Sequence, residues 1–560
     1  MPRALQSFIP RYVLTVVAVA AALTLVGCTG PTAAPVAPAG GGDQPSGPVT
    51  PKVNRLVMAV SPPARTDADL RFLAPPSVWY VRPMYDFLLD IDPKTDKIVP
   101  GLVTQWNLEP DGQSFRLKLR DIPFHGKWGL VRSEDVKFGW DQLVLGDSVH
   151  GQQTYWKQLM KSFEIVSDKE IIFHLTAPDS QFLTAISEQQ GGLEVRSKAH
   201  YDAIGAPNWK VGPLAGSGPY QFKEGAEGQY MRYERNPNGH YKGVPDFPEF
   251  EFRMAKEAST RMASLLTGEA QMADLPQDLV ATAVGRGMKT SKGSFPGTRI
   301  WGAFQGAYLK DPKNPSAGYL YPESPLVNPK VRQALNKAIN REEMNKAFFQ
   351  GKAETMILNH FHPSRAGWNP EWEKKFQDQY GYDPAKAKQL LAEAGMTGWK
   401  ATMSVLALPG VSGGPDLTEA VANYWKAIGI DVALVTPDAA EETRLSRAFT
   451  YQDRLSLRSS GNNQWSGFVV WNTSNGNRGN GFEDIEVDKL LPQVPLTMDE
   501  TARDALWRKI GDLAFADMLS VHLFYLPAEA VVDPKVVDSW VFPGDITGSW
   551  THVTNIKAAR

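Results

Sequence analysis

One cysteine, Cys28, stands in 560 residues, and that fact limits this chain more than any other. No internal disulfide can form and no cysteine cluster can hold zinc, so the fold must rest on packing alone. With 42 % hydrophobic residues the packing material is ample, and the length suggests about three domains at roughly 100–200 residues each. The 59 Lys+Arg and 61 Asp+Glu nearly cancel, giving no broad cationic field for a phosphate backbone. A nucleic-acid partner is therefore not expected.

The place of that cysteine is as informative as its solitude. Arg3 and Arg11 precede an uncharged apolar run from Val13 to Val26, the n-region and h-region of a signal peptide. The run of 14 residues is shorter than the ~17–25 that span a hydrocarbon core. Leu25-Val26-Gly27-Cys28 looks like a lipobox, with Cys28 the lipidation site that would hold the protein to a bacterial membrane from outside. Segment 29–52, rich in Gly, Pro, Ala and Thr, reads as a flexible tether.

Beyond Asn54, strand and helix signals alternate, which is α/β grammar. Phe115, Leu117 and Leu119 alternate with Arg116 and Lys118 as a half-buried strand, and Ser133 is placed to cap a helix opening on Glu134 and Asp135. Asn328-Pro329 and Asp383-Pro384 have the cap-then-proline order of helix starts, and Gly395 and Gly429 the position of helix stops. Phe250 to Met254 and Ile430 to Val435 read as strands.

Motifs of catalysis are weak. No Gly-x-x-x-x-Gly-Lys-Ser/Thr run exists, so energy for any transport would come from a partner. Gly410-Val411-Ser412-Gly413-Gly414 formally matches a nucleophile elbow, but Pro409 and Pro415 bracket it and His522 and His552 are the only later histidines. A secreted serine hydrolase using Ser412 is thus the alternative of a different class. His360-Phe361-His362 precedes Pro363 with no third ligand in view, so two loop histidines are expected and no metal site. His125 has no evident partner in the sequence.

Six short segments in order resemble the family 5 extracellular solute-binding proteins of ABC importers. They are Ile98-Val99-Pro100-Gly101-Leu102 through Arg120, Ser133 to Phe138, Ser217-Gly218-Pro219-Tyr220 with Arg235-Asn236-Pro237 and Tyr241-Lys242-Gly243, Val331-Arg332-Gln333-Ala334-Leu335 through Glu343, Tyr382 to Gly395, and Ile428-Gly429-Ile430. The resemblance implies an α/β type II periplasmic-binding fold, with two lobes, a hinge and an extra domain. After the signal peptide, 1–27, and the anchor and linker, 28–52, it makes lobe I 53–90 with 215–300 and 525–560, with an extra domain 91–214 inserted in lobe I, and lobe II 301–524. It further implies a monomer without cofactor or catalysis, which takes a peptide or other small solute between its lobes and passes it to the transmembrane subunits of an ABC permease.

For ligand contact the aromatic and amide clusters stand out: Trp79, Tyr80, Trp301, Gln305, Trp465, Trp471, Asn472 and Asn475. Peptide receptors of this family commonly carry an acid after the tryptophan, which holds the peptide's ammonium. Val470-Trp471-Asn472-Thr473 has none before Glu483, so Glu483 or Asp484 would have to substitute, or the ligand would be an oligosaccharide or another neutral solute. Gln271 likewise stands where the family usually has aspartate.

Overall fold

The computed structural model describes residues 50–560 apart from 64–66, 74–78, 190–192, 209–213, 462–463, 465–467, 470–471, 473, 475–480 and 545–549. The signal peptide, Cys28, nearly all of the tether, and Trp465, Trp471 and Asn475 lie outside the described residues.

The chain opens with β1 (Arg55–Val60), then a hairpin of β2 (Leu89–Ile91) and β3 (Ile98–Pro100). β4 (Val103–Leu108), β5 (Ser114–Leu119), β6 (Met160–Ser167) and β7 (Glu170–Leu175) form a separate antiparallel sheet in the order β4-β5-β7-β6. The chain then returns to the first sheet with β8 (Tyr220–Ala226), β9 (Tyr230–Arg235), β10 (Glu249–Met254) and β11 (Met272–Asp274). β12 (Lys289–Gln305) leads out of it, β13 (Glu354–Thr355), β14 (Lys400–Ser404), β15 (Asp431–Val435) and β16 (Arg454–Gly461) follow, and β17 (Ser520–Val532) leads back.

Of these strands, all but the hairpin and the four-stranded sheet join in one sheet, ordered β15-β14-β16-β12-β17-β11-β1-β10-β9-β8, with β13 beside β17. Two strands are longer than one lobe. β12 and β17 run antiparallel from Lys289↔Val532 to Ala303↔Ser520, with register shifts around Pro296, which faces Pro527. On one side of that irregularity lie the lobe I strands, where β1 pairs in parallel with β10 and β11; on the other lie the lobe II strands, where β14 pairs in parallel with β15 and β16.

Two large cores flank this crossing. Met58, Phe250 and Phe252 of lobe I belong to one apolar cluster with Phe115, Trp156 and Phe173, so the four-stranded sheet shares the interior of lobe I. Ile300, Phe304, Leu335, Trp425 and Leu523 belong to the second. The helices follow their local signals. Asn328 caps α2 (Pro329–Lys337) by accepting the Lys330 N–H at 3.0 Å, and Asp383 caps α3 (Pro384–Glu393) through Lys386 N–H at 2.9 Å. α4 (Gly414–Ala427) starts two residues before Asp416, and α5 (Glu500–Asp517) is the longest helix described. One cap differs from expectation. Ser133 is the first residue of α1 (Ser133–Leu143) rather than its cap, because Asp135 accepts the Arg132 N–H at 2.9 Å and so draws the helix start one residue earlier.

Candidate functional site

Between the β2–β3 hairpin and the start of α5 lies a chamber of about 600 Å³. Its lobe I wall comes from Thr95, Asp96 and Lys97 and from Ser180, Gln181, Thr184 and Gln189; its lobe II wall comes from Ser364, Arg365, Ala366, Gln464 and the first turns of α5 through Trp507. Local chemistry shapes both walls. Asp92 Oδ1 accepts from Lys94 N–H, Thr95 N–H and the Thr95 hydroxyl at 2.8–3.0 Å, which pins the hairpin turn. Against the cost of partial burial these donors hold the Asp92 carboxyl below its ordinary range. The turn leaves Asp96 in the left-handed region, φ 57°, with its N–H on Asp92 O at 2.9 Å.

Opposite, Asp504 of α5 accepts the Gly367 N–H at 2.7 Å, and the left-handed Gly367 (φ 76°) packs so close that a Cβ would meet Trp507 Cβ at 2.5 Å. Gln464 Nε2 donates to Ala366 O at 2.8 Å, and Trp507 packs edge-on against Phe361 and Phe468. This fixes the 359–366 loop to its lobe. The two walls also touch: Ser180 N–H donates to Pro495 O at 2.7 Å, the Ser180 hydroxyl to Val494 O at 3.1 Å, and Arg365 forms an ion pair with Asp96. The chamber is polar and charged, suited to a solute with hydrogen-bonding groups rather than to a wholly apolar one.

Of the residues picked out in the sequence, the five that are described occupy other places. Trp301 and Gln305 lie on one face of β12, opposite the core-facing Ile300 and Phe304, and both are buried. Gln305 Oε1 accepts from the Ser456 hydroxyl at 2.9 Å, and its Nε2 is buried without a hydrogen-bond partner among the described residues. Trp79 packs edge-on against Phe252 at 4.6 Å in the lobe I core, and the Tyr80 hydroxyl donates to Asp67 O at 3.0 Å. Asn472 is buried, with its carbonyl accepting from Asp484 N–H. None of these five lines the chamber, although Gln464, next to Trp465, does.

The acids considered as substitutes are committed elsewhere. Glu483 accepts the Leu309 N–H at 2.8 Å, and Asp484 caps the helix Ile485–Leu490 through Val487 and Glu486 N–H, with burial raising its carboxyl. A hydrolase fares worse. Ser412 is exposed before α4, whereas His522 is buried and stacked on Tyr380 at 4.6 Å, where desolvation and then Arg341 push its pKa down to about 3. No nucleophile–base pair forms there.

The other histidines also have structural work. His360 is buried with Nδ1 on Arg299, whose guanidinium also donates to Asn359 at 3.0 Å and Ser460 at 3.1 Å and is drawn down to about 10 by burial. His362 sits 3.2 Å from Glu354 and 2.7 Å from the Ser364 hydroxyl. His125, without a partner in the sequence, meets Gly218 O at 2.9 Å, and Gln271 bridges Val57 N–H and Gly268 O, both at 2.9 Å. Sequence reasoning missed Asp96 and Arg365. Their only local signals were a hairpin turn and a basic residue after Pro363, and neither says that the two meet.

Comparison with known proteins follows the same lines. The family profile described as bacterial extracellular solute-binding proteins, family 5 Middle, matches residues 97–481. The dipeptide-binding protein of Escherichia coli (strain K12) is 25 % identical over 393 residues, 66 % of this chain and 69 % of that protein. Probable di/tripeptide-binding protein 5 of Pseudomonas aeruginosa (strain UCBPP-PA14) is 27 % identical over 326 residues, 54 % of this chain and 57 % of that relative. Among solved structures, HbpA2 from Haemophilus parasuis superposes with a TM-score of 0.74 at 21 % identity, over 90 % of this chain and 100 % of that one. The periplasmic binding protein DppA from Helicobacter pylori, in complex with the peptide STSA, gives 0.67 at 21 % identity, over 90 % and 98 %. These two likenesses establish the two-lobed fold.

Proposed function

The chain belongs to the bacterial extracellular solute-binding proteins of family 5, and on that footing we propose that it serves an ABC importer by capturing a peptide between its lobes. The observation that carries this reading is the polar chamber walled by both lobes, on a frame whose halves are joined by the paired strands β12 and β17. The relatives supply the cargo class: they are named for dipeptides and di- or tripeptides, and one structural neighbour holds a tetrapeptide. Closure about the β12–β17 crossing desolvates the solute and gives the permease a defined shape to recognise.

In this reading the chain acts as a monomer outside the cytoplasm, held by lipid on Cys28, with 29–52 as its leash. The chamber provides charge and hydrogen bonds, and Trp465, Trp471 and Asn475 are the residues proposed to add stacking and amide contacts, with Trp301, Gln305 and Asn472 as buried support. Trp79 and Tyr80 support the facing lobe. Replacing Trp471 by Ala is expected to weaken binding about tenfold or more while apo stability falls by no more than ~1–2 kcal/mol. An unchanged affinity removes Trp471 from the site.

Cargo identity is tested by native mass spectrometry of the chain released gently from membranes. A retained mass that fragments as a peptide ladder supports the proposal. A hexose series, or stabilisation by saccharides alone, replaces peptide by a neutral solute. Lipidation is tested separately: Cys28→Ala should move the protein from the membrane to the soluble fraction.

A further inference from the structure

The ion pair between Asp96 and Arg365 has features that a permanent structural bridge lacks. Arg365 comes from the 359–366 loop of lobe II and Asp96 from the β2–β3 hairpin of lobe I, so the pair spans the chamber that both residues line. Each side chain is nearly buried, 12 % and 5 % exposed. A buried Arg–Asp pair is most favourable as a two-pronged fork that uses both carboxylate oxygens. Here one oxygen takes both donors: Asp96 Oδ2 faces Arg365 and also accepts from Gln189 Nε2 at 2.9 Å. Asp96 Oδ1 is buried with no hydrogen-bond partner among the described residues. An orphaned buried carboxylate oxygen is costly, and Asp96 carries that cost.

Lys97 and Glu500 also line the chamber, and two further charged groups, Arg503 and Asp504, are differently placed. Arg503 donates to Thr497 O and Met498 O, both at 3.0 Å, and Asp504 pairs with Arg508 at 2.7 Å. These groups are engaged within lobe II, whereas Arg365 takes its carboxylate from the other lobe. Its guanidinium also lies 5.7 Å from the ring of Phe295, in the segment of β12 where the lobes join.

We infer that Asp96 is a tethered stand-in for an anionic group of the cargo. In the absence of cargo it occupies Arg365; a solute bearing a carboxylate takes its place, and Asp96 is released to its hairpin. The chamber then selects carboxylate-bearing solutes, a free peptide acid among them, and discriminates against the same solutes with the acid masked. The inference rests on the chamber being the cargo site, as proposed above. A tethered competitor reduces apparent affinity to the fraction of time it leaves the site free, so occupancy of nine-tenths corresponds to about tenfold.

The test compares the full chain with Asp96→Asn and Arg365→Gln by isothermal titration, using trialanine, trialanine amide and glutarate as probes. Asn is isosteric with Asp and well suited to the left-handed position, so Asp96→Asn is expected to fold. The predicted result is that Asp96→Asn binds trialanine and glutarate about tenfold more tightly than the parent, leaves the amide unchanged, and that Arg365→Gln loses the preference for acids. Failure of both peptides to bind any of the three proteins, with glutarate still gaining on Asp96→Asn, overturns the peptide reading and keeps the stand-in. If neither trialanine nor glutarate gains on Asp96→Asn, or if the amide gains equally, the stand-in is overturned. Circular dichroism of both variants checks that the fold is intact.

Discussion

Asp86 lies in the charged interior of lobe I, fully buried, 3.0 Å from His240 Nε2, 2.8 Å from the donating Ser217 hydroxyl and 3.5 Å from Lys242 Nζ. Burial alone would raise its carboxyl, but His240, Lys242 and Ser217 outweigh burial and hold it well below the ordinary carboxylate range. A carboxyl depressed in the folded state contributes stability above its unfolded value, ~3.9, and that contribution is lost as the pH falls below it. Asp86→Asn removes the acid that His240, Ser217 and Lys242 share and is expected to cost about 3–5 kcal/mol at neutral pH. Urea midpoints at pH 7, 5 and 3 check this: the parent should weaken from pH 5 to 3, and the variant should be low throughout with a smaller acid loss. Ser217, Tyr241 and Lys242 belong to the motifs by which the family was legible in the sequence, and here they prove to be the walls of this buried network. These three residues therefore reported lobe I's interior rather than a ligand.

At the scale of elements, what the sequence revealed is what depends on near neighbours. Asn328, Asp383, Gly395 and Gly429 each act within one helical turn, and the structure uses the first two as caps and the glycines with φ of 70° and 98°. β12 was not legible. Gly293, Pro296 and Gly297 punctuate its middle, and a proline inside a run argues against a strand. The strand persists because Pro296 sits at the register shift, where no regular ladder bond is needed. The same glycines let β12 pack closely within lobe I, next to the crossing. A Cβ on Gly297 would lie 2.7 Å from Gly544 O and 2.9 Å from Ala528 Cβ, and one on Gly293 would lie 2.7 Å from Gly544 Cα. Gly297→Ala is thus expected to cost about 1–3 kcal/mol through overpacking, read as a lower melting temperature. Alanine at Gly285, whose added Cβ would meet nothing within 4 Å, should leave the melting temperature nearly unchanged and serves as the comparison.

For the whole molecule, the site is the least legible feature because it belongs to no single stretch of chain. Asp96 and Arg365 are brought together only by the placement of the two lobes, and the aromatic clusters that drew attention in the sequence are partly spent on cores, as Trp79 is against Phe252. The central claim is that the lobes close on a solute held between them, with the β12–β17 crossing as the point of bending. The most direct test is small-angle X-ray scattering of the full chain, stripped of cargo and then titrated with the solute recovered from the native protein. The account predicts a radius of gyration that falls as the solute binds and saturates at one solute per chain. Stoichiometric binding without any contraction would contradict it, and would move the site from between the lobes to a single one of them.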